Sequence, residues 1–561
     1  MKKRGMMLFV VLGLVPFLMA FRFGGEISYP NPTKFQVNSD GNSGFENIVV
    51  GDVDGDGDQD LIMIYVYKNS STEAHNEVRL YLNQNAELGG PGPTPLGIAQ
   101  TPLAINTLFS NSNTSGTGNM YVIYQDGVSG TQTVDAKLWR GDSSSADVRS
   151  FFTGLTAAYK VVNGKKVVDY VLVSRQYGSF SSSAYSYQNS YNPRHYAGRI
   201  IHLKNPYSGA NPNDVKGAWW KRNGTTAADV HPGNANSFTS TTPPDSNALS
   251  TDPVPTISGI QFYNDDYTWK VPYNAESMND GWARGTLNAI ELADLDGDGN
   301  YDLYAAPRFY RGGWSASGDN TITSVGVAAN IYQYLNPNDG TNDFNNAYND
   351  SSPGKSIWSD TSTGVIVSQF AQFRLVDMDK DGIPDLLGAQ SSNCPLSWIK
   401  GKNNSDFLDT SCCDIKKARL NSAGTFWDIN AGNLRVPTSG SGGDNNRGIP
   451  DLVLTRSADA QIEISMYSDA KNNADPAWSS YADFQAIYTA PTSETTDPTN
   501  IWMYKLKFGR VVIADVDNCG ENEIIVTIWG HTTNAGGRTA QYWIFKKNTT
   551  KYLTMNFNEL Q

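Results

Sequence analysis

The sequence predicts an all-β chain folded as a seven-bladed β-propeller, and three observations carry that expectation. A nine-residue Asp/Gly loop between two apolar runs recurs along the chain, the spacing of its copies leaves room for several short strands each, and the two chain ends together complete one unit. Self-similarity of this kind marks an architecture built by repetition. The clearest copies are VVGDVDGDGDQDLIMI (49–64), ELADLDGDGNYDLYAA (291–306), RLVDMDKDGIPDLLGA (374–389) and VIADVDNCGENEIIVT (512–527). Each reads as an apolar run, then D-x-D-x-x-G-x-x-[DE], then a second apolar run. Short apolar runs bounded by Asp and Gly are buried strands joined by a tight loop.

Three weaker copies complete the set. NSNTSGTGNMYVIY (111–124) keeps the spacing with every acid replaced by a neutral polar residue. YKVVNGKKVVDYVLV (159–173) keeps only Asp169 and its strands, and GDNNRGIPDLVLT (443–455) keeps Gly448, Pro450 and Asp451 with Arg447 in an acid's place. The ninth loop residue then falls at 60, 119, 169, 302, 385, 451 and 523. Those intervals fit the four-stranded blades of a propeller. The longest interval, between 169 and 302, contains a Ser-, Asn-, Tyr- and Pro-rich stretch at 176–285, read as an insertion with an extra blade as the alternative.

Closure follows from the ends. After the last loop, IIVTIW, AQYWIFKK and KYLTMNF supply three strands, and ISYPNPTKFQV (27–37) supplies the fourth. Such a clasp removes the edge that an open ring would expose.

The remaining elements set the compartment. Residues 1–20 carry Lys2, Lys3 and Arg4 before an apolar run from Met6 to Met19, the pattern of a secretory signal, leaving a propeller over 21–561. That run is shorter than the roughly 20 residues a spanning helix needs, and no later stretch approaches one. A secreted or cell-surface protein is expected. Four cysteines in 561 residues are too few to be the scaffold. A bridge from Cys394 to Cys412 or Cys413 is compatible with their spacing, and Cys519 is the odd one out. With 43 basic against 56 acidic residues, the chain has no basic surface for nucleic acid.

Alternating aspartates around a glycine form a calcium ligand set. Ca²⁺ takes about six to eight oxygens, and carboxylates at loop positions 1, 3, 5 and 9 with the carbonyl of position 7 converge on one ion. The glycine at position 6 permits the bend. Loop 1 offers Asp52, Asp54, Asp56 and Asp60 with Asp58 at position 7. Loop 2 offers Asp294, Asp296, Asp298 and Asp302 with Asn300. Loop 3 offers Asp377, Asp379, Asp381 and Asp385 with Ile383. Loop 4 keeps Asp515, Asp517, Glu521 and Glu523, but Cys519 replaces the acid at position 5, so its occupancy is left open. Three calcium sites are expected, with loop 4 as a fourth candidate. An EF-hand needs Glu at position 12, where these loops have Met63, Ala305, Gly388 and Val526. The loops account for the charge. Their 36 residues hold 17 acids and one lysine, and the mature chain outside them is formally neutral.

The D-x-D-G-D-G-x-x-D-L loops between apolar strands resemble the FG-GAP/VCBS repeats of the integrin α-chain propeller and of many secreted bacterial and archaeal proteins. By repeat spacing the resemblance spans about 27–561. It implies a seven-bladed propeller whose calcium ions stiffen loops on one face, with partners bound through other loops. The FG and GAP elements are faint, with Phe508-Gly509 and Ala305-Ala306-Pro307 as their nearest traces. That departure points to a prokaryotic-type VCBS protein rather than an integrin chain.

Two functions follow from these readings. One is a calcium-stabilised extracellular module that binds a protein or glycan, or builds a surface structure, with self-assembly left open. Tyr185, Tyr187, Tyr191, Tyr196, Trp219 and Trp220 lie in a polar context that suits stacking on sugars or anchoring a partner, unless they fill the insertion's own core. The alternative is a calcium-dependent carbohydrate-active enzyme such as a polysaccharide lyase, for which His195, His202 and Arg194 are the nearby candidates. Five histidines and no G-x-S-x-G, H-E-x-x-H or P-loop give that alternative little support.

Overall fold

The computed structural model describes residues 29, 31–37, 42–68, 74–93, 101–109, 119–126, 147–180, 198–216, 219–221, 286–294, 300–308, 311–312, 325–326, 330–334, 355–359, 370–390, 396–401, 414–416, 426–434, 449–456, 461–467, 481, 484–490, 508–532 and 538–547. Strand β1 (Thr33–Gln36) opens the chain. The first unit is β2 (Asn42–Gly51), β3 (Asp60–Lys68), β4 (Ala74–Tyr81) and β5 (Met120–Asp126), with a helical turn α1 (Ile105–Leu108) before β5. The second is β6 (Asp147–Val162), β7 (Lys165–Phe180), β8 (Gly198–Lys204) and β9 (Trp220–Lys221). The third begins with β10 (Thr286–Ala293) and β11 (Asp302–Arg308). A small ribbon follows, β12 (Arg311–Gly312) with β13 (Val325–Gly326), then β14 (Asn330–Tyr334) and β15 (Lys355–Ser359). The fourth is β16 (Phe370–Val376), β17 (Asp385–Gln390), β18 (Leu396–Ile399) and β19 (Asp414–Lys416). The fifth is β20 (Phe426–Gly432), β21 (Asp451–Arg456), β22 (Gln461–Ser465) and β23 (Gln485–Thr489). The sixth is β24 (Phe508–Ala514), β25 (Glu523–Thr532) and β26 (Arg538–Phe545), completed by β1.

Every unit is an antiparallel meander. The strands fall into five sheets of four or more strands, the largest joining the first and sixth units through one pair, Gly44 opposite Trp529. The first strands form a ring. β2 packs on β6, β6 on β10, β10 on β16, β16 on β20, β20 on β24, and β24 back on β2. This is a β-propeller arrangement, held by apolar layers between neighbouring sheets. One layer joins the first and second units through Ile62, Val78, Val171 and Trp219, and another joins the first and sixth through Phe45, Leu61, Tyr542 and Ile544.

Among the described residues six units form the ring, where seven were expected. Met120–Asp126, expected inside the second copy, is the outer strand of the first unit and pairs with β4. The remaining six ninth-position residues each head the second strand of a unit or, for Asp169, lie within it. The copy at 169 has no Asp loop at all. Its strands meet at Asn163 (φ 52°) and Gly164 (φ 80°), two successive left-handed residues that make a tight hairpin turn. The insertion also begins later than 176, because β8 and β9 complete the second unit. Trp219, read as either an exposed aromatic or part of the insertion's own core, is fully buried. Tyr185, Tyr187, Tyr191, Tyr196, residues 222–285, the signal segment, KYLTMNF, Arg447, Cys394, Cys412 and Cys413 lie outside the described residues. The clasp is as expected: β1 pairs antiparallel with β26, and Phe35 stacks on Tyr542 at 4.7 Å. No described helix is long and apolar enough to cross a membrane.

The first strands share a feature that the sequence reading missed. Each has a register shift at the same level, between Phe45 and Asn47, Phe152 and Gly154, Leu287 and Ala289, Phe370 and Gln372, Phe426 and Asp428, and Phe508 and Val511. Phe45, Leu287, Phe370 and Phe508 each stand fifteen residues before the ninth loop position, so this periodicity was legible. Extra residues at these shifts re-aim the side chains that follow.

Those side chains fill the middle of the ring. Arg374 of β16 pairs with Glu291 at 2.8 Å and Asp428 at 2.7 Å. Arg510 of β24 pairs with Glu291 at 3.2 Å and Asp428 at 3.3 Å, and donates to Asn47 Oδ1 at 2.9 Å. Leu292 N–H donates to Thr156 Oγ1 of β6 at 3.2 Å. All six first strands thus contribute, and Glu291 and Arg510 meet from opposite sides of the ring. Burial, and then the neighbouring charge of Arg374, pushes the Arg510 guanidinium down to about 10. Removing one member of a buried ionic network is costly because it strands the others. Asp428→Ala is therefore expected to lower unfolding free energy by about 3–5 kcal/mol in urea titration. A loss near zero would show that the network is not closed in solution.

Candidate metal centre

The three Asp loops described in full, loops 1, 3 and 4, connect the first and second strands of the first, fourth and sixth units. They share a backbone. Position 6 is glycine with positive φ in each, Gly57 (103°), Gly382 (91°) and Gly520 (83°). Position 4 is left-handed too, as Gly55 (81°), Lys380 (62°) and Asn518 (54°). Asn tolerates that region through local hydrogen bonding, and Gly does so without a Cβ.

The ninth residue has a role of its own. Asp60 Oδ2 accepts Val53 N–H at 2.8 Å and Oδ1 accepts Asn83 N–H at 2.8 Å. Asp385 repeats this with Met378 N–H at 3.1 Å and Gly401 N–H at 2.7 Å, and also accepts Trp398 Nε1–H at 3.0 Å. Asp451 does the same with Leu434 N–H at 3.2 Å and Tyr467 N–H at 2.9 Å, although its loop has none of the other acids in place. Glu523 Oε2 accepts Val516 N–H at 3.0 Å. Asp60, Asp385 and Glu523 pin the second residue of their loops, Asp451 pins Leu434 just past β20, and in the first, fourth and fifth units the carboxylate also holds the chain leaving the third strand. Asp302 is fully buried at the same place. This position is a structural clamp whether or not an ion is nearby.

Loop 1 brings its acids together. Asp52, Asp54 and Asp60 have ligand oxygens within 4.8 Å of one another, and Asp54 and Asp56 form a second such group with Glu87, a residue outside the repeat pattern. Asp56 Oδ2 is a buried oxygen with no hydrogen-bond partner. Asp58 turns away. It accepts Ala86 N–H at 2.6 Å and Asn518 Nδ2–H at 2.6 Å, tying loop 1 to loop 4. On the other side Lys165 Nζ donates to the carbonyls of Gly55 at 2.6 Å and Asp56 at 2.8 Å. The loop is thus gripped by its neighbours on both sides.

Electrostatics follow from that crowding. Burial pushes Asp52 up to about 6, with Asp54 adding to it, and burial and then the charge of Asp54 push Asp56 up to about 8. Asp54 and Asp60 are raised by burial as well. Carboxylates held this way are short of positive charge, which a divalent cation would supply. The donor set, hard oxygens around an unpartnered carboxylate oxygen, fits Ca²⁺.

Loops 3 and 4 group Asp377 with Asp379 and Asp381, and Asp515 with Asp517 and Cys519. Ile383 N–H donates to Asp381 Oδ1 at 2.9 Å. Cys519 is a free, buried thiol, raised by burial. Glu521 pairs with Lys547 at 3.6 Å, and Glu523 Oε1 is buried without a partner. In loop 2, Asp296 and Asp298 lie outside the described residues, while Asp294 and Asn300 are partly buried. His195 and Arg194 lie outside them too, and His202 sits on β8 opposite Leu172.

No protein-family model matches the sequence, and no curated protein matches it. Solved structures with a similar chain course include a Bacillus licheniformis rhamnogalacturonan lyase, at 10% identity and TM-score 0.31, covering 92% of this chain and 75% of that one. An exotype rhamnogalacturonan lyase, YesX, aligns at 10% identity and TM-score 0.29 over 92% of this chain and 74% of its own. The parainfluenza virus 5 hemagglutinin-neuraminidase ectodomain aligns at 6% identity and TM-score 0.33 over 97% and 96%. Scores of this size assign neither substrate nor activity.

Two outcomes are expected. Asp451→Ala leaves two buried N–H groups unpaired and lowers stability by about 2–6 kcal/mol, at roughly 1–3 for each. Added calcium does not offset that loss, as urea titration with and without the ion would read. The second concerns pH. An aspartate whose folded pKa lies above the unfolded value of 3.8 binds its proton more readily when folded. Its contribution is complete below that value and is lost as pH rises through the folded pKa. With Asp52 and Asp515 near 6, Asp385 near 7 and Asp56 near 8, the metal-free protein should lose urea resistance between pH 5 and 8. A midpoint that climbs across that range would contradict this.

Proposed function

We propose that the protein is a calcium-stabilised, extracellular β-propeller of FG-GAP/VCBS type that binds a protein or glycan partner. The observation that carries the calcium part is loop 1. Asp58 and Asp60 are held by neighbouring elements and Asp52, Asp54 and Asp56 by N–H groups of the loop itself, one carboxylate oxygen is buried unpartnered, and no lysine or arginine among the described residues forms an ion pair with the five aspartates. A bound cation relieves that repulsion and fixes the loop.

The binding part rests on where side chains leave room. The ring centre is filled by the Arg374–Asp428–Arg510–Glu291 network, so a partner would meet the loops rather than a central channel. Among the described residues the exposed large hydrophobics are Leu88 and Val161. Both flank loop 1, Leu88 next to Glu87 and Val161 on the hairpin that carries Lys165.

Chelator is expected to lower the melting temperature and added Ca²⁺ to restore it, since an ion that binds only the folded state stabilises it by mass action. An unchanged melting curve would remove the calcium assignment. Glycan-array and matrix-protein binding without turnover is the expected behaviour of the whole protein. Steady release of unsaturated product from uronate polysaccharides, followed by absorbance, would replace the binding role with a lyase.

A further inference from the structure

We propose that Lys400 and Lys546 are built-in counter-cations whose ammonium groups stand in for calcium in loops 3 and 4, confining calcium to loops that lack such a lysine. The proposal rests on the calcium reading of loop 1. It departs from the expectation that loop 3 is a calcium site.

The two lysines occupy one position in the fold. Leu386, the residue after the ninth position, pairs with Ile399, the last residue of β18, and Lys400 follows it. Ile524 pairs with Phe545, the last residue of β26, and Lys546 follows it. The same register in the first unit sets Leu61 opposite Tyr81, so the corresponding residue is the buried Leu82. In the fifth unit Leu452 pairs with Ser465, so Met466 corresponds, beside a loop without the acid set. A lysine therefore stands at this position beside loops 3 and 4, and an apolar residue beside loop 1.

Each ammonium reaches the acids that an ion would need. Lys400 Nζ lies 2.5 Å from Asp379 and 3.5 Å from Asp381, positions 3 and 5 of loop 3. Lys546 Nζ pairs with Asp517, position 3 of loop 4, whose side chain is fully buried. The position-1 acid of each loop is satisfied locally. Asp377 accepts the N–H groups of Asp381 and Gly382 at 3.1 and 3.0 Å, and Asp515 accepts those of Cys519 and Gly520 at 3.0 and 2.8 Å. A divalent ion entering either loop would share its carboxylates with a positive charge within hydrogen-bonding reach and be repelled. An ammonium offers three donors and one charge, enough for the reduced acid set of loop 4 and too little for the five aspartates of loop 1.

The experiment counts calcium bound to the full-length, chelator-stripped protein by equilibrium dialysis and elemental analysis. Asp54→Asn should remove one ion, whereas Asp379→Asn and Asp517→Asn should leave the count as in the wild type. Lys400→Met and Lys546→Met, which copy the residue of the fifth unit, should each add one ion. A lower count in Asp379→Asn or Asp517→Asn would overturn the proposal, as would lysine variants that keep the wild-type circular dichroism and gain nothing. Should a methionine variant fail to fold, Lys400→Gln and Lys546→Gln give the same reading. If the wild type binds no calcium and Asp54→Asn changes nothing, the reading of loop 1 fails, and an ion gained by the lysine variants still separates the two ideas.

Discussion

A carboxylate heads the second strand in five of the six described units, and it holds the repeat together. Asp60, Asp385 and Asp451 each bind two backbone N–H groups, one at the start of the loop and one where the third strand ends. Charge-assisted hydrogen bonds of this kind are worth more than neutral ones, and in a dry setting they replace water that cannot enter. The clamp sets where the loop leaves the first strand, and so where the other acids of the loop stand. The loop containing Asp451 has lost those acids and keeps the clamp. The clamp is thus the older constraint in physical terms, since it operates with or without an ion.

A second constraint lies at the other end of the first strands. Each has a bulge at one level, and at or just past it stand Asn47, Thr156, Glu291, Arg374, Asp428 and Arg510. Two arginines and two acids, buried together, cancel in charge and bridge strands on opposite sides of the ring. Such a network contributes more to a single arrangement of the units than to net stability, because desolvation offsets much of the attraction. It also decides where function resides. With the centre filled, the exposed features are the loops, and the loops on one face touch their neighbours through Lys165, Asn518 and Asn522.

Much of this was legible in the residues. The strand–loop–strand pattern was correct for the units headed by Asp60, Asp302, Asp385 and Glu523, because period, Gly position and apolar flanks agree there. The amino-terminal clasp was correct for the same reason, an edge that needs a partner. The copy at 111–124 failed because a neutral loop followed by VIY reads the same whether the strand is inner or outer. The hairpin at Asn163-Gly164 was open to a turn reading that the search for aspartates obscured. Whether Trp219 is exposed or buried was open in the sequence, since its polar sequence neighbours say nothing about the layer it enters just before β9.

The candidate site divides in the same way. Sequence alone determined that the acids are concentrated in a few tight loops, which positions bend, and which loop has the fullest ligand set, because these are local properties of nine residues. Only the tertiary structure decided what surrounds each loop. Glu87 joins loop 1 from the segment after β4, Asp58 leaves it for Asn518, and Lys400 and Lys546 arrive from third strands to pair with Asp379 and Asp517. The physical reason is that charge balance is set by everything within hydrogen-bonding reach, and in a propeller most of that comes from other strands and other units.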